Sequence, residues 1–408
     1  MTIEAAAPPA GLRLALSLGL VAVLGPADID MYLASRPEMA LQLTRSYASV
    51  QLSLTVFLLA MGAGQLLFGP LVDMVGRRRP LLAGIVLFIV AALWTSQAGT
   101  VNELLVARFL QGMGAALTLV VALSTVRDVA EGVRATQLFA LLMTIEGLAP
   151  VLAPALGGVI DAHFGWRAVM LTLAALGGVA LLNTLFFLPE TLPVSKRSAP
   201  SGVMRTYLRI ASDRQFLLPA LALAAAFFFL FAYIGGAALV YQQAYGLAPD
   251  TFGLVFGATG SAVLFGAVTS ARLVARHGVS RLGVAGTAAM LVGALIALAS
   301  AMSGPGLAGV VAGMFVAMFG LGIAESTLMS MAMASQQRAL GSTAALLGAF
   351  QLTIASAATP LAGALAQMGA VPWLMFLCAL GLLVSLLALL ARASARGNIH
   401  DGRSLAAH

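Results

Sequence analysis

GQLLFGPLVDMVGRRRPL, residues 64–81, decides how this chain is read. It leaves one apolar run, residues 50–67, and enters another, residues 81–93. Between them stand a Gly-Pro pair (Gly69, Pro70), one carboxylate (Asp73), Gly76 and three consecutive arginines, Arg77, Arg78 and Arg79. Two apolar runs joined by so short a basic turn make an antiparallel pair of membrane helices with the turn on the cytoplasmic face. Gly76 permits the tight turn, and Gly69 permits close helix contact. Asp73 at a span end is costly unless paired, and the arginines are within reach. The arginines alone read as a topology anchor. The spacing G-P-L-x-D-x-x-G-R-R asks for more.

Working outward, composition fixes the class. Of 408 residues, 61% are apolar and 9% are charged, with a mean hydropathy of +1.00. A soluble globular chain carries roughly 25% charged residues. The single cysteine, Cys378, lies in an apolar run, so no intramolecular disulfide forms and the residue reads as a small buried hydrophobe. The net charge of +7 is scattered one loop at a time, which suggests membrane topology rather than nucleic-acid binding. The first apolar run holds Asp28 and Asp30, lacks a preceding basic region and has no small-residue cleavage site after it. It reads as a retained span, not a signal peptide.

Apolar runs of about 20 residues recur along the chain. The expected spans are residues 13–33, 50–72, 80–97, 103–126, 135–160, 168–188, 216–242, 252–275, 282–301, 307–334, 343–368 and 372–391. The longest polar interval carries Lys196, Arg197, Arg205, Arg209 and Arg214 and divides the twelve into six plus six. The expected organisation is a cytoplasmic segment 1–12, a six-helix bundle 13–188, a cytoplasmic linker 189–215, a second six-helix bundle 216–391 and a cytoplasmic tail 392–408. With both termini inside, all of the 22 basic residues fall on the cytoplasmic side except Arg36, Arg45 and Arg167 outside and Arg108 within a span. The halves echo each other: GMGAALTL at 112–119 resembles GLGIAESTL at 320–328. Pro154 and Gly157 recur as Pro360 and Gly363, and Trp166 as Trp373. Parallel six-helix halves with a site between them are a secondary-transporter arrangement.

Three motifs then carry a family resemblance. Gly69, Leu71, Asp73, Gly76, Arg77 and Arg78 match the loop pattern G-x-L-a-D-r-x-G-r-k, with Met74 where a basic residue is usual. Arg108, Gln111 and Gly112 match R-x-x-Q-G of a fourth span. Asp30-Met31-Tyr32-Leu33 matches D-M-Y-L-P, with Ala34 for the proline. The fifth span adds Pro154, Gly157 and Gly158 of G-P-x-x-G-G, led by Ala153 in place of glycine. On these residues the chain resembles the major facilitator superfamily, in particular its twelve-span drug:proton antiporter branch and the Bcr/CflA-type multidrug and chloramphenicol exporters. The resemblance implies an all-α membrane protein whose twelve transmembrane helices form two pseudo-symmetric six-helix bundles. It implies proton-coupled efflux of small, largely apolar compounds across a bacterial inner membrane by alternating access. The proton gradient would be the energy source, with no cofactor, and the chain would act as a monomer.

The resemblance implies a conformational latch at Gly69, Asp73, Gly76, Arg77 and Arg78, and an antiporter-motif helix at Pro150, Pro154, Gly157 and Gly158. Ionisable groups inside spans are costly and so are functional candidates in their own right. Arg108 cannot deprotonate and needs a carboxylate or several acceptors. It is either a structural arginine or a fixed cation that tunes a nearby carboxylate, and the resemblance implies the latter. Asp28 and Asp30 sit about 22 Å along the first span from Arg13, and two residues turn a helix by about 200°, so both cannot face one cavity. The family pattern selects Asp30 as the proton carrier, modulated by Arg108, with Glu146 of the fifth span as the reserve. Asp28, Tyr32, Gln111, Tyr233 and Glu325 are expected at the substrate cavity.

No Walker lysine loop is present, the four histidines (His163, His277, His400, His408) fall in loops or the tail, and no nucleophile constellation shares a depth. ATP hydrolysis, a buried metal and membrane-enzyme chemistry are therefore not expected. The expected partners are a small-molecule substrate, protons and the lipid bilayer. The alternatives are a proton-coupled or facilitated importer of a small metabolite on the same fold, and a non-transporting scaffold.

Overall fold

The computed structural model describes residues 10–130, 132–197, 202–304, 306–336 and 340–405. Arg338 and the ends of both terminal segments, expected in the cytoplasm, lie outside the described residues. Among the described residues every regular element is helical.

The first span is α1 (Ala10–Ala22) and α2 (Leu24–Met31), bent by 43° between them. The sequence leads one to expect a continuous helix here. Pro26 has no N–H for the Ala22 carbonyl four residues back, so the helix breaks at Val23. A short α3 (Arg36–Gln42) follows. The next three spans are α4 (Tyr47–Val75), α5 (Arg78–Gln97) and α6 (Val101–Val129). α7 (Gly132–Phe187) holds 56 residues, which at 1.5 Å each is about 84 Å, far more than one bilayer crossing of about 30 Å. It turns at Gly165, whose φ of 74° suits glycine, and so contains the fifth and sixth spans.

The linker helix α8 (Val203–Ala211) buries Tyr207 and Ile210. The second half runs through α9 (Arg214–Leu239), α10 (Pro249–His277), α11 (Val279–Ser303) and α12 (Leu307–Ala334). Its eleventh span is broken into α13 (Leu340–Ser356) and α14 (Ala358–Gln367), and α15 (Ala370–Leu405) is the twelfth. The break repeats the logic of the first span, because Pro360 leaves the Ser356 carbonyl free. Thr359 Oγ1 donates to that carbonyl at 3.3 Å. Among the described residues ten helices are long and apolar enough to cross a membrane, the bent first pair makes eleven, and dividing α7 at Gly165 makes twelve.

The echoed sequences do the same packing work in both halves. A Cβ on Gly112 would overlap the Phe57 carbonyl, and one on Gly114 would lie 2.8 Å from the Gly84 carbonyl. A Cβ on Gly320 would lie 2.5 Å from the Gly286 carbonyl, and one on Gly322 would overlap that of Val263. Each half's fourth helix therefore meets two neighbours backbone to backbone. The two tryptophans are buried and bonded: Trp166 Nε1 donates to Gln42 Oε1 at 2.8 Å, and Trp373 Nε1 donates to the Ala232 carbonyl at 3.0 Å.

The halves meet mainly toward one end. Tyr47 and Gln51 of α4 both donate to the Gly235 carbonyl of α9, at 3.1 and 2.6 Å. Thr55 and Thr359 share a hydrogen bond of 2.9 Å, and Gln242 Nε2 donates to the Ala34 carbonyl at 2.8 Å. Further along, the contacts run to Gln65 on Gly348 and Gly147 on Leu264. At the other end Gly69 has no neighbour within 4 Å of where a Cβ would stand. The close helix contact expected at Gly69 is thus not made.

Candidate functional site

Arg108 lies fully buried in α6 with Gln111 one turn on, and their side chains share a face, as the R-x-x-Q-G spacing requires. The guanidinium Nη1 donates to both Asp28 oxygens at 2.7 Å and to Gln111 Oε1 at 2.9 Å. Gln111 Nε2 in turn donates to Asp28 Oδ1 at 3.1 Å. The guanidinium also lies over the Tyr32 ring (4.4 Å) and the Phe57 ring (4.5 Å). The bare Gly112 brings Phe57 that close. The carboxylate supplies the counter-charge, and the two ring faces add cation–π attraction in a water-free setting.

This corrects the expected pairing of Arg108 with Asp30. Asp28 takes Arg108, because the rotation of about 200° between the two aspartates points only one of them at α6. Asp30 is buried, and its carboxylate has no hydrogen bond among the described residues; its charged neighbour is Arg36. Arg36 itself was expected outside as a loop charge, yet it is fully buried. Its Nη1 donates to Gln51 Oε1 at 2.6 Å, and it lies 5.1 Å from the Tyr32 ring centre.

The expected cavity residues are likewise mostly internal. Asp28, Tyr32 and Gln111 are closed in around Arg108, with Tyr32 hydroxyl 3.3 Å from Ser53 Oγ. Tyr233 is stacked between Phe256 (5.1 Å) and Trp373 (6.0 Å) in the second half, with no open face. Large aromatic neighbours bury more area there than an open cavity would allow. Glu325 and Glu146 are half-buried, and Glu146 Oε1 has no hydrogen-bond partner among the described residues.

The opening stretch folds into a charged knot. Arg77 Nη1 donates to Asp73 Oδ1 at 2.6 Å, and Arg77 Nε and Nη2 donate to the two oxygens of Asp128 at 2.7 and 3.2 Å. Glu190 accepts from the backbone N–H groups of Arg77 and Arg78 at 2.9 and 3.3 Å, satisfying donors at the start of α5. Burial pushes the Glu190 carboxyl up, but the N–H groups of Arg77, Leu192 and Arg78 and the charge of Arg197 outweigh it and hold the group below the usual carboxylate range. Gly76 has φ 103°, and a Cβ there would sit 2.6 Å from Glu190 Oε2, so glycine is required twice over. Arg78 bonds the Leu185 carbonyl at 3.0 Å rather than Asp73.

The proline- and glycine-rich helix of the fifth span divides its residues between two neighbours. A Cβ on Gly157 would overlap Met31 of α2, and one on Gly158 would overlap the Pro249 carbonyl of α10, in the other half. The carbonyls of Pro150 and Pro154 face Gly260 and Gly253 of α10. Pro154 leaves the Pro150 carbonyl without its helical donor, and Gly260 lets α10 cover it closely.

Arg36, Gln51, Asp128 and Glu190 were missed as site residues. Arg36 was readable as the charge six residues beyond Asp30, had the chain been expected to fold back after Leu33. Asp128 stands directly after Arg127 at the end of the fourth span.

Two helical halves that meet at one end, one of them carrying a buried Arg108–Asp28 pair, have the architecture of a membrane transporter. The family model of the Major Facilitator Superfamily matches residues 18–351, and the chain belongs to that family. It is 38% identical over 358 residues to the uncharacterized MFS-type transporter YdgK of Bacillus subtilis, covering 86% of this chain and 89% of that protein. It is 39% identical over 173 residues to the multidrug resistance protein MdtL of Escherichia coli, covering 42% of this chain and 44% of that one. Among solved structures, a D-xylose-proton symporter aligns with a TM-score of 0.73 at 16% identity, over 92% of this chain and 97% of that chain. The human organic anion transporter MFSD10 aligns at 0.66 and 17% identity, over 93% and 100%. At such identities these two likenesses speak for the fold alone.

Proposed function

We propose that this chain exports small, largely apolar compounds across a bacterial cytoplasmic membrane in exchange for protons, as a monomer with both termini in the cytoplasm. On this orientation the hydrogen bonds between the halves, at Tyr47, Gln51, Thr55 and Gln242, lie toward the outside. The observation that carries the reading is the unequal pair of first-span carboxylates. Asp28 is bonded through both oxygens to Arg108, whereas Asp30, buried two residues on, has no hydrogen bond among the described residues. An antiporter needs one buried group whose protonation competes with substrate, and a carboxylate without fixed donors meets that need. Arg108 stays charged and fixes Asp28; Glu146 is the reserve carrier. The partial likeness to MdtL and the Pro/Gly pattern of the fifth span favour export over import.

Uphill efflux into everted vesicles, driven by a pH gradient, tests it after a susceptibility panel in a strain stripped of its own pumps has supplied a substrate. Asp30→Asn is expected to abolish pumping while retaining substrate binding, since the amide imitates the protonated acid. Normal pumping by Asp30→Asn together with failure of Glu146→Gln would exchange the two roles. Normal pumping by both would refute proton coupling at these groups, and proton-driven uptake of the substrate would favour the importer.

A further inference from the structure

We infer that Arg36 is a positioning residue that ties the charge on Asp30 to the seal between the halves, holding the seal shut while Asp30 is ionised. The inference rests on the reading of Asp30 as proton carrier.

The geometry is a relay of two hydrogen bonds. Arg36 Nη1 donates to Gln51 Oε1 at 2.6 Å, and Gln51 Nε2 donates to the Gly235 carbonyl at 2.6 Å. Only this orientation of the amide satisfies both ends, because a flipped amide would set donor against donor and acceptor against acceptor. Tyr47 hydroxyl donates to the same carbonyl at 3.1 Å. A guanidinium in the first half is thus one side chain away from the backbone of the second. It is a demanding guest: it is 0% exposed, and its Nε and Nη2 have no hydrogen-bond partner among the described residues. A buried charge of this kind needs a counter-charge nearby.

The charged surroundings leave one supplier. Asp28 is engaged by Arg108. Glu38, on the exposed side of α3, accepts from Gln42 at 2.7 Å. Asp161 of α7 lies beside Ser35, with Glu38 as its charged neighbour. The phenols of Tyr32 and Tyr47 complete the titratable groups beside Arg36. From α9 the site receives only the Gly235 carbonyl among the described hydrogen bonds. Arg36 is the charged neighbour of Asp30 among the described residues, set apart from it without a direct ion pair.

The consequence is an interlock. With Asp30 ionised, Arg36 is neutralised where it stands, and its bond to Gln51 keeps the second half in place. With Asp30 protonated, Arg36 remains charged and has lost its counter-ion, so opening the seal to water becomes less costly. The sign follows: closure is favoured above the Asp30 titration and weakens as pH falls through it. An exchanger requires this, because an empty, deprotonated carrier that reoriented freely would dissipate the gradient.

The test reads opening directly. In a Cys378→Ala background, Thr359→Cys places a thiol at a fully buried position of the seal. Its rate of modification by a membrane-impermeant maleimide from outside is normalised to that of Leu41→Cys, an exposed position at the same end. The normalised rate is expected to rise at least about fivefold from pH 8 to pH 5.5, the low end of coupling between sites. Arg36→Gln and Asp30→Asn are each expected to label fast at both pH values, and Arg36→Lys to restore the pH response. Gln51→Leu, which touches neither charge, is expected to label fast and lose most of the response. Retention of the parent ratio by Arg36→Gln or by Gln51→Leu overturns the inference, as does slow labelling of Arg36→Gln at both pH values. If Asp30→Asn still pumps uphill while its labelling loses pH dependence, the carrier reading fails and the interlock stands.

Discussion

Asp28→Asn and Asp30→Asn lie two positions apart in the chain and are expected to differ sharply in stability. Asp28→Asn strips the counter-charge from Arg108, both side chains being fully buried. Removing one partner of a buried pair costs about 3–5 kcal/mol. Two features of this site pull the figure down. The amide keeps an oxygen for Arg108 Nη1, and the Tyr32 and Phe57 rings at 4.4 and 4.5 Å still face the cation. The lower end, about 3 kcal/mol, is therefore the expectation, or roughly a hundredfold in the folded population at 1.36 kcal/mol per decade. Asp30→Asn breaks no hydrogen bond to a described residue, and Arg36, left without its counter-charge, can be hydrated as the seal loosens, so the cost should stay within about 1 kcal/mol. The assay is the midpoint of heat-induced loss of the monodisperse peak of detergent-solubilised protein. Asp28→Asn should melt several degrees below the parent, and Asp30→Asn close to it. Adding Arg108→Gln to Asp28→Asn should recover most of the loss, because no charge is then left buried. Equal melting of the two single variants, or no recovery in the double, would refute the pairing argument.

Three further outcomes follow from the same geometry. Gly253→Leu drives a side chain into the Pro154 carbonyl and should keep the outer end from closing, seen as fast external labelling of Thr359→Cys with transport lost and expression retained. Asp73→Asn should impair transport but change stability by under about 1 kcal/mol, since Asp73 is 53% exposed and Arg77 keeps Asp128; full transport would sink the latch reading. The Glu190 carboxyl is held below the usual range, so its contribution is present above the unfolded value of about 4.3 and is lost as pH falls through the lower folded value. Glu190→Gln should therefore speed amide exchange at Arg77 and Arg78 above that window and leave it unchanged below, as read by exchange mass spectrometry.

How much of this was legible in the sequence depends on the kind of quantity involved. Run length is one-dimensional, so the twelve crossings and the division into halves could be read directly, as could the shared face of Arg108 and Gln111. Azimuth is not. The spacing of Asp28 and Asp30 says that they diverge, but which one meets α6 depends on the phase of α2, and that phase is reset at Val23 because Pro26 lacks a donor. Arg36 was hidden for a related reason. Counting charges by side treats every loop arginine as a topology marker, whereas here α3 turns back and carries Arg36 inward until Gln51 receives it. The two misreadings have one resolution. Beside the two first-span carboxylates stand two buried cations, Arg36 and Arg108, and each takes one. Arg108 holds Asp28 with two short bonds and two ring faces, an arrangement with no reason to change during a cycle. Arg36 faces Asp30 without a direct bond and is fastened instead to the opposite half through Gln51. On the proposed division of labour the pair without a bond is the one free to respond to a proton, while the bond that Arg36 does make, to Gln51, leads across to the other half through the Gly235 carbonyl.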